Sequence, residues 1–172
     1  RFYAFDGFSA AVGAPTTHSM VNIANNVPTL DWTGEANYTT DGVNPDSAAN
    51  GSNFTFRVKY MDADNNAPSP IQLYIDLNDD GDYLDVNEIN TMTVDGGDGN
   101  YTNGELFTKT LALTHPGGAS DGVLNYRFYA SDGTNDATGS PASNSTVTIT
   151  NNAPTLDWVG SGGYTNDGAD PD

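Results

Sequence analysis

Cysteine is absent from the 172-residue chain, so neither a disulfide framework nor a thiolate metal site is open to it. Positive charge is nearly as scarce: 5 lysines and arginines stand against 23 aspartates and glutamates, a formal net charge of -18 at pH 7. So acidic a surface repels nucleic acid and anionic membranes, and neither is expected as a partner. There are only 2 histidines. His115 lies in "THPGG" with no acid or nucleophile at motif spacing, and His18 corresponds to Asn144 in the repeat described below, so no enzymatic activity is expected. No apolar run approaches the roughly 20 residues of a membrane span, and no segment carries a sustained helical period.

What is present is repetition. "RFYAFDG" at Arg1 returns as "RFYASDG" at Arg127, and "NNVPTLDWTGEANYTTDGVNPD" from Asn25 returns as "NNAPTLDWVGSGGYTNDGADPD" from Asn151. The offset is 126 in both cases (127 - 1 and 151 - 25), without a gap. That period is too long for a solenoid unit and suits an independently folded domain. Cutting at the polar "NN" gives the C-terminal part of a preceding repeat (1–24), one complete repeat (25–150) and the N-terminal part of the following one (151–172). A window onto a longer array is expected, because neither partial unit holds the counterpart of residues 47–126.

Alternation of period two is plain in "NFTFRVKY", where Phe54, Phe56, Val58 and Tyr60 point one way and Thr55, Arg57 and Lys59 the other. Further strand-like runs are residues 28–32, 71–75, 89–94, 105–113, 123–130 and 145–150. Seven strands between Gly/Asn/Asp/Pro-rich turns predict an all-β, seven-stranded antiparallel sandwich. The strand order, the "YMDADNNAP" turn (Tyr60 to Pro68) and the "NNAPTL" linker (Asn151 to Leu156) make the unit resemble the immunoglobulin-like and cadherin-like repeats of prokaryotic cell-surface proteins. The immunoglobulin cysteine pair is absent, and Trp32 lies on the first strand rather than the third. The resemblance implies an adhesive or structural module in tandem array, with neighbouring repeats and other copies in a polymer as partners.

The densest chemistry is "DLNDDGDYLDVNE", Asp76 to Glu88, which holds five aspartates, two asparagines and a glutamate. It resembles the calcium loop of EF-hands and dockerins: Asp76, Asn78 and Asp80 fall at loop positions 1, 3 and 5, Gly81 at 6 and Asp82 at 7. Position 12 is Asn87, so Asp85 or Glu88 is expected to supply the closing ligand. A hard dication takes six to eight oxygens, which short carboxylates at alternating positions provide once the backbone curls. Calcium is therefore the expected cofactor, and a hairpin knit by Asx-turns is the alternative.

Looser clusters are Asp41, Asn44 and Asp46 in "DGVNPD", Asp62, Asp64 and Asn65 in "DADNN", and Asp132, Asn135 and Asp136 in "SDGTND". The first recurs as Asp167, Asp170 and Asp172. In such a sandwich Asp62, Asp64 and Asp132 are expected at the pole where the chain comes in (the leading pole). Asp41, Asp46 and the hairpin acids are expected at the pole where it goes out (the trailing pole). Trp32 and Trp158 read as core anchors, or as a sugar-stacking platform if exposed; Tyr38 and Tyr164 carry no ligand assignment. Sequons at Asn37, Asn50, Asn53, Asn100 and Asn144 permit N-linked glycans and, with the acidic charge, point to an extracellular or cell-surface location. The expected function is a calcium-stabilised repeat of an extracellular fibre, stalk or long adhesin; a carbohydrate-binding module of a secreted protein is the alternative.

Overall fold

The computed structural model describes residues 1–13, 18–116 and 122–157. Among them ten strands build two sheets: β1 (Thr29–Asp31), β2 (Val43–Asn44), β3 (Ser47–Ala49), β4 (Asn53–Met61), β5 (Ile71–Ile75), β6 (Ile89–Thr91), β7 (Thr93–Val94), β8 (Glu105–Ala112), β9 (Gly122–Ala130) and β10 (Ser145–Thr150). The first sheet runs β1-β4-β8-β7, with β2 also on β4; the second runs β3-β10-β9-β5-β6. No described helix is long and apolar enough to cross a membrane.

Alternation decides which face each strand buries. In β4, Phe54, Phe56, Val58 and Tyr60 are fully buried, and in β9 Leu124, Tyr126, Phe128 and Ala130 are. The two sets meet across the gap, with the Phe56 and Tyr126 rings edge to face at 5.0 Å. Leu73 and Ile75 of β5 and Val147 and Ile149 of β10 complete that layer. Each such side chain contributes about 1.5–3 kcal/mol when fully removed from water.

Each of the seven expected runs contains a strand, but the run 89–94 is divided. Ile89–Thr91 pairs with β5 in the second sheet, and Thr93–Val94 pairs with β8 in the first. Buried Met92 sits between them, and its N–H donates to Ile71 O at 3.1 Å. The chain crosses likewise at the other edge, from β2 on β4, through a cis Asn44–Pro45 bond, to β3 on β10. Short strands shared between sheets stitch both lateral edges. The expectation of purely antiparallel pairing fails at this second crossing, because β3 runs parallel to β10. A chain that changes sheets without reversing direction meets the outermost strand in that sense.

Register fixes the poles. Thr29 is level with Met61, and Tyr60 with Glu105, so the leading pole is built from residues 25–28, 62–66, 98–104 and 131–137. The trailing pole carries the Ala49–Ser52 turn, where Asn50 N–H donates to Thr150 O at 2.8 Å.

Candidate functional site

At the leading pole the two asparagines before β1 bind acids. Asn25 Nδ2 donates to Asp132 Oδ2 at 2.7 Å, and Asn66 Nδ2 donates to Asn25 Oδ1 at 3.0 Å. The Asn26 backbone N–H donates to Asp64 Oδ2 at 2.5 Å and its side-chain amide to Asp64 Oδ1 at 2.9 Å. Asp62, Asp64 and Asp132 are thus gathered where expected. Asp62 is 1% exposed. Its Oδ1 accepts the N–H groups of Asp64 and Asn66 at 2.8 and 3.1 Å, whereas Oδ2 is buried with no hydrogen-bond partner among the described residues. A buried carboxylate oxygen without a donor is costly, and it is the feature of this pole that suits a cation. Asp136 points elsewhere, accepting the Tyr129 hydroxyl at 2.7 Å.

Asp132 also anchors its own turn, since its Oδ1 accepts the N–H groups of Thr134 at 2.6 Å and Asn135 at 2.7 Å. The Asn135 N–H, then the Asn25 amide, hold its carboxyl below the usual range, because both favour the charged form.

The Asp76–Glu88 hairpin does not reach the trailing pole. Asp76 N–H donates to Asn125 O at 2.9 Å, midway along β9, and the loop folds over the outer face of the second sheet. Tyr83 packs on Tyr74 at 5.8 Å, and the Arg127 guanidinium lies 5.0 Å from the Tyr74 ring and 5.4 Å from the Tyr83 ring. The Tyr83 hydroxyl donates to Asn144 Oδ1 at 2.9 Å. Attraction to the exposed-face Arg127 and aromatic burial outweigh extension into water.

Within the hairpin, Asp76 and Glu88 are 1% and 0% exposed. Asp76 accepts the N–H groups of Asp80 at 3.1 Å and Gly81 at 2.9 Å. Glu88 accepts those of Leu77 at 2.9 Å and Asp85 at 3.0 Å, closing the loop in place of Asn87. Gly81 has φ 94°, in the region that favours glycine and that the sharp turn requires. Asn78 Nδ2 donates to Asp80 Oδ2 at 3.0 Å and to Asp85 Oδ2 at 2.6 Å, so three expected ligands converge on one point. Asp82 does not join them and instead caps Leu84 N–H at 2.8 Å. Among the described residues no three acidic or histidine side chains form a metal-holding group.

Asp41 and Asp46 are likewise displaced from the expected trailing pole. Asn44 pairs with Thr55, Gly42 O accepts from Arg57 N, and Asp46 O accepts from Thr148 N, so both acids lie along the flank of the sandwich. They line a cleft of about 350 Å³ with Asn37 and Asn44. Partial burial, opposed by the Val43 N–H and reinforced by the charge of Asp46, raises the Asp41 carboxyl above its usual range. The reason for the displacement is the sheet crossing: 41–46 are spent along β4 rather than in a polar loop.

Trp32 is half-buried and meets Phe128 edge-on at 6.2 Å. Tyr38 lies under the Arg57 guanidinium at 5.4 Å. Trp158, Tyr164, Asp167, Asp170 and Asp172 lie outside the described residues. In the sequence "NN" reads as a linker, and its return at Asn151 and Asn152 is the signal for the acid-binding clamp that the fold makes of it. The chain matches no family model and has no significant similarity to a curated protein.

Proposed function

We propose that the chain is a stretch of structural repeats from an extracellular fibre, stalk or long adhesin, in which calcium stiffens immunoglobulin-like beads. The order β1-β4-β8-β7 facing β10-β9-β5 corresponds to the A-B-E-D and G-F-C order of that sandwich, and supports an immunoglobulin-like topology. The 126-residue self-match supports the bead boundaries at 25 and 150. The observation that carries the proposal is the clamp of Asn25 and Asn26 on Asp132 and Asp64, which ties the inter-repeat segment to an acidic pole. Residues 25–150 hold 18 acids and 4 bases, a net of -14 (4 - 18), so successive beads repel unless a cation lies between them.

Calcium is the cation proposed, at the leading pole beside Asp62 and in the hairpin beside Asn78, Asp80 and Asp85. Weak oxygen sites of extracellular modules bind at roughly 10⁻⁴ to 10⁻³ M, so millimolar calcium suffices. The edge-on packing of Trp32 on Phe128 favours this reading over a sugar-stacking platform. Small-angle scattering of a chain carrying several complete repeats tests it. A longer, straighter particle is expected with calcium than with a chelator; identical profiles with intact folding overturn the stiffening role.

A further inference from the structure

The hairpin loop between β7 and β8 folds over a carboxylate that none of the motifs above uses. Glu105 opens β8 with its side chain on the same inward parity as Phe107, and it is 2% exposed. Its Oε1 accepts three backbone N–H groups, from Asp98 and Gly99 at 2.7 Å each and from Asn100 at 3.2 Å. Its Oε2 is buried and has no hydrogen-bond partner among the described residues. Gly97 makes room for this group, since a Cβ there would overlap Oε2 and stand 2.5 Å from the carboxyl carbon.

Asp98, whose N–H already binds Glu105, carries a second carboxyl at the same cleft, and Asn103 Nδ2 donates to Asp98 Oδ2 at 3.4 Å. These three residues border an open cleft of about 410 Å³. Two adjoining carboxyls need a shared proton or a cation between them. The basic side chains of the neighbouring strand are engaged elsewhere: Arg57 pairs with Glu35 and Asp95, and Lys59 Nζ lies 3.5 Å from Asp31 Oδ2. Among the described residues no lysine or arginine forms an ion pair with Asp98 or Glu105.

We propose that Glu105 Oε2, the Asp98 carboxylate and Asn103 form a binding site for a hard divalent cation of the calcium class, at the β7–β8 end of the leading pole. An all-oxygen donor set without cysteine or histidine selects a hard ion, and carbonyls of a glycine-rich turn with water complete the six to eight ligands calcium takes. Magnesium is disfavoured because the buried, N–H-clamped Glu105 cannot move to meet strict octahedral geometry. The site shares no residue with the Asp76–Glu88 hairpin or with Asp62, Asp64 and Asp132. It also ties the turn to the pole, since Tyr101 O accepts from Asp62 N at 3.0 Å and Tyr101 N donates to Asn65 Oδ1 at 2.7 Å.

Titration of the ¹⁵N-labelled full chain with calcium chloride, followed by amide chemical shifts, tests the assignment. The amides of Asp98, Gly99 and Asn100, which donate to Glu105, are expected to shift and saturate in the range of about 10⁻⁴ to 10⁻³ M. Glu105→Gln and Asp98→Asn should each weaken that response roughly tenfold or more, whereas Asp80→Ala should leave it unchanged. Because Asp98 is exposed, Asp98→Asn keeps the test valid if Glu105→Gln fails to fold. Amides that stay still up to about 10 mM, well beyond that range, or that follow pH and ignore calcium, overturn the site. Shifts confined to the Asp76–Glu88 hairpin overturn it too, while leaving the hairpin as a calcium loop.

Discussion

Residues 1–13 and 127–139 are two copies of one sequence motif in different surroundings. The turn is the same in both. Phe5 bridges Ala10 as Ser131 bridges Asp136, and Asp6 Oδ1 accepts the N–H groups of Phe8 and Ser9 as Asp132 Oδ1 accepts those of Thr134 and Asn135. Ala11 N donates to Ala4 O at 2.8 Å, and Ala137 N to Ala130 O at 2.8 Å. The strand leading into the turn differs. Residues 122–130 form β9 between β5 and β10, whereas residues 1–4 form no strand. Phe128 is 1% exposed and its counterpart Phe2 is 75% exposed. The same holds for Leu30 at 2% and Leu156 at 101%. An Asx-turn closes on contacts two or three residues away and carries its own specification. A strand requires partners supplied by distant sequence.

The sharpest way to break this comparison is Phe128→Ala against Phe2→Ala. The first should cost about 3–5 kcal/mol through loss of a core ring, and the second should stay within about 0.5 kcal/mol, both read by denaturant unfolding of the full chain. Equal costs would mean that the first copy is packed as well as the second. Leu30→Ala against Leu156→Ala is the next largest contrast, about 2–5 kcal/mol against an effect near zero. Amide hydrogen exchange sharpens the point at the shared bond: Ala137 N–H should be protected to the level of the sheets and Ala11 N–H only weakly.

The smallest contrast separates Asp6 from Asp132 by titration. The carboxyl of Asp6 is held below its usual range by the N–H of Ser9 and then of Phe8; that of Asp132 is held low by Asn135 and additionally by Asn25. A depressed carboxyl pKa favours the closed turn above the unfolded pKa, and the advantage is lost as pH falls through the folded value. Both turns should therefore loosen in acid. Asn25→Ala should raise the Asp132 pKa and leave that of Asp6 unmoved. A carboxyl titration by NMR in which Asn25→Ala shifts neither would remove the clamp at the leading pole.

The repeat, the all-β class and the turns were legible in the sequence because each depends on short-range pattern. Phe54 to Tyr60 alternate and are buried in alternation, Gly81 follows the aspartates where the loop must bend, and Asp132 caps its own turn. The interior faces of β4, β5 and β9 follow from hydrophobic period two and nothing else. Tertiary structure decided where the chain changes sheets, since the run 89–94 is uniform in pattern while its two halves pair with different partners. It decided the location of the acids for the same reason. Crossing at 44–47 draws Asp41 and Asp46 along the flank, and Arg127 with Tyr74 draws the Asp76–Glu88 hairpin onto a sheet face. It alone placed Glu105 beside Asp98 with one oxygen unsatisfied, because burial of a carboxylate depends on the turn folded over it and not on its neighbours in the chain.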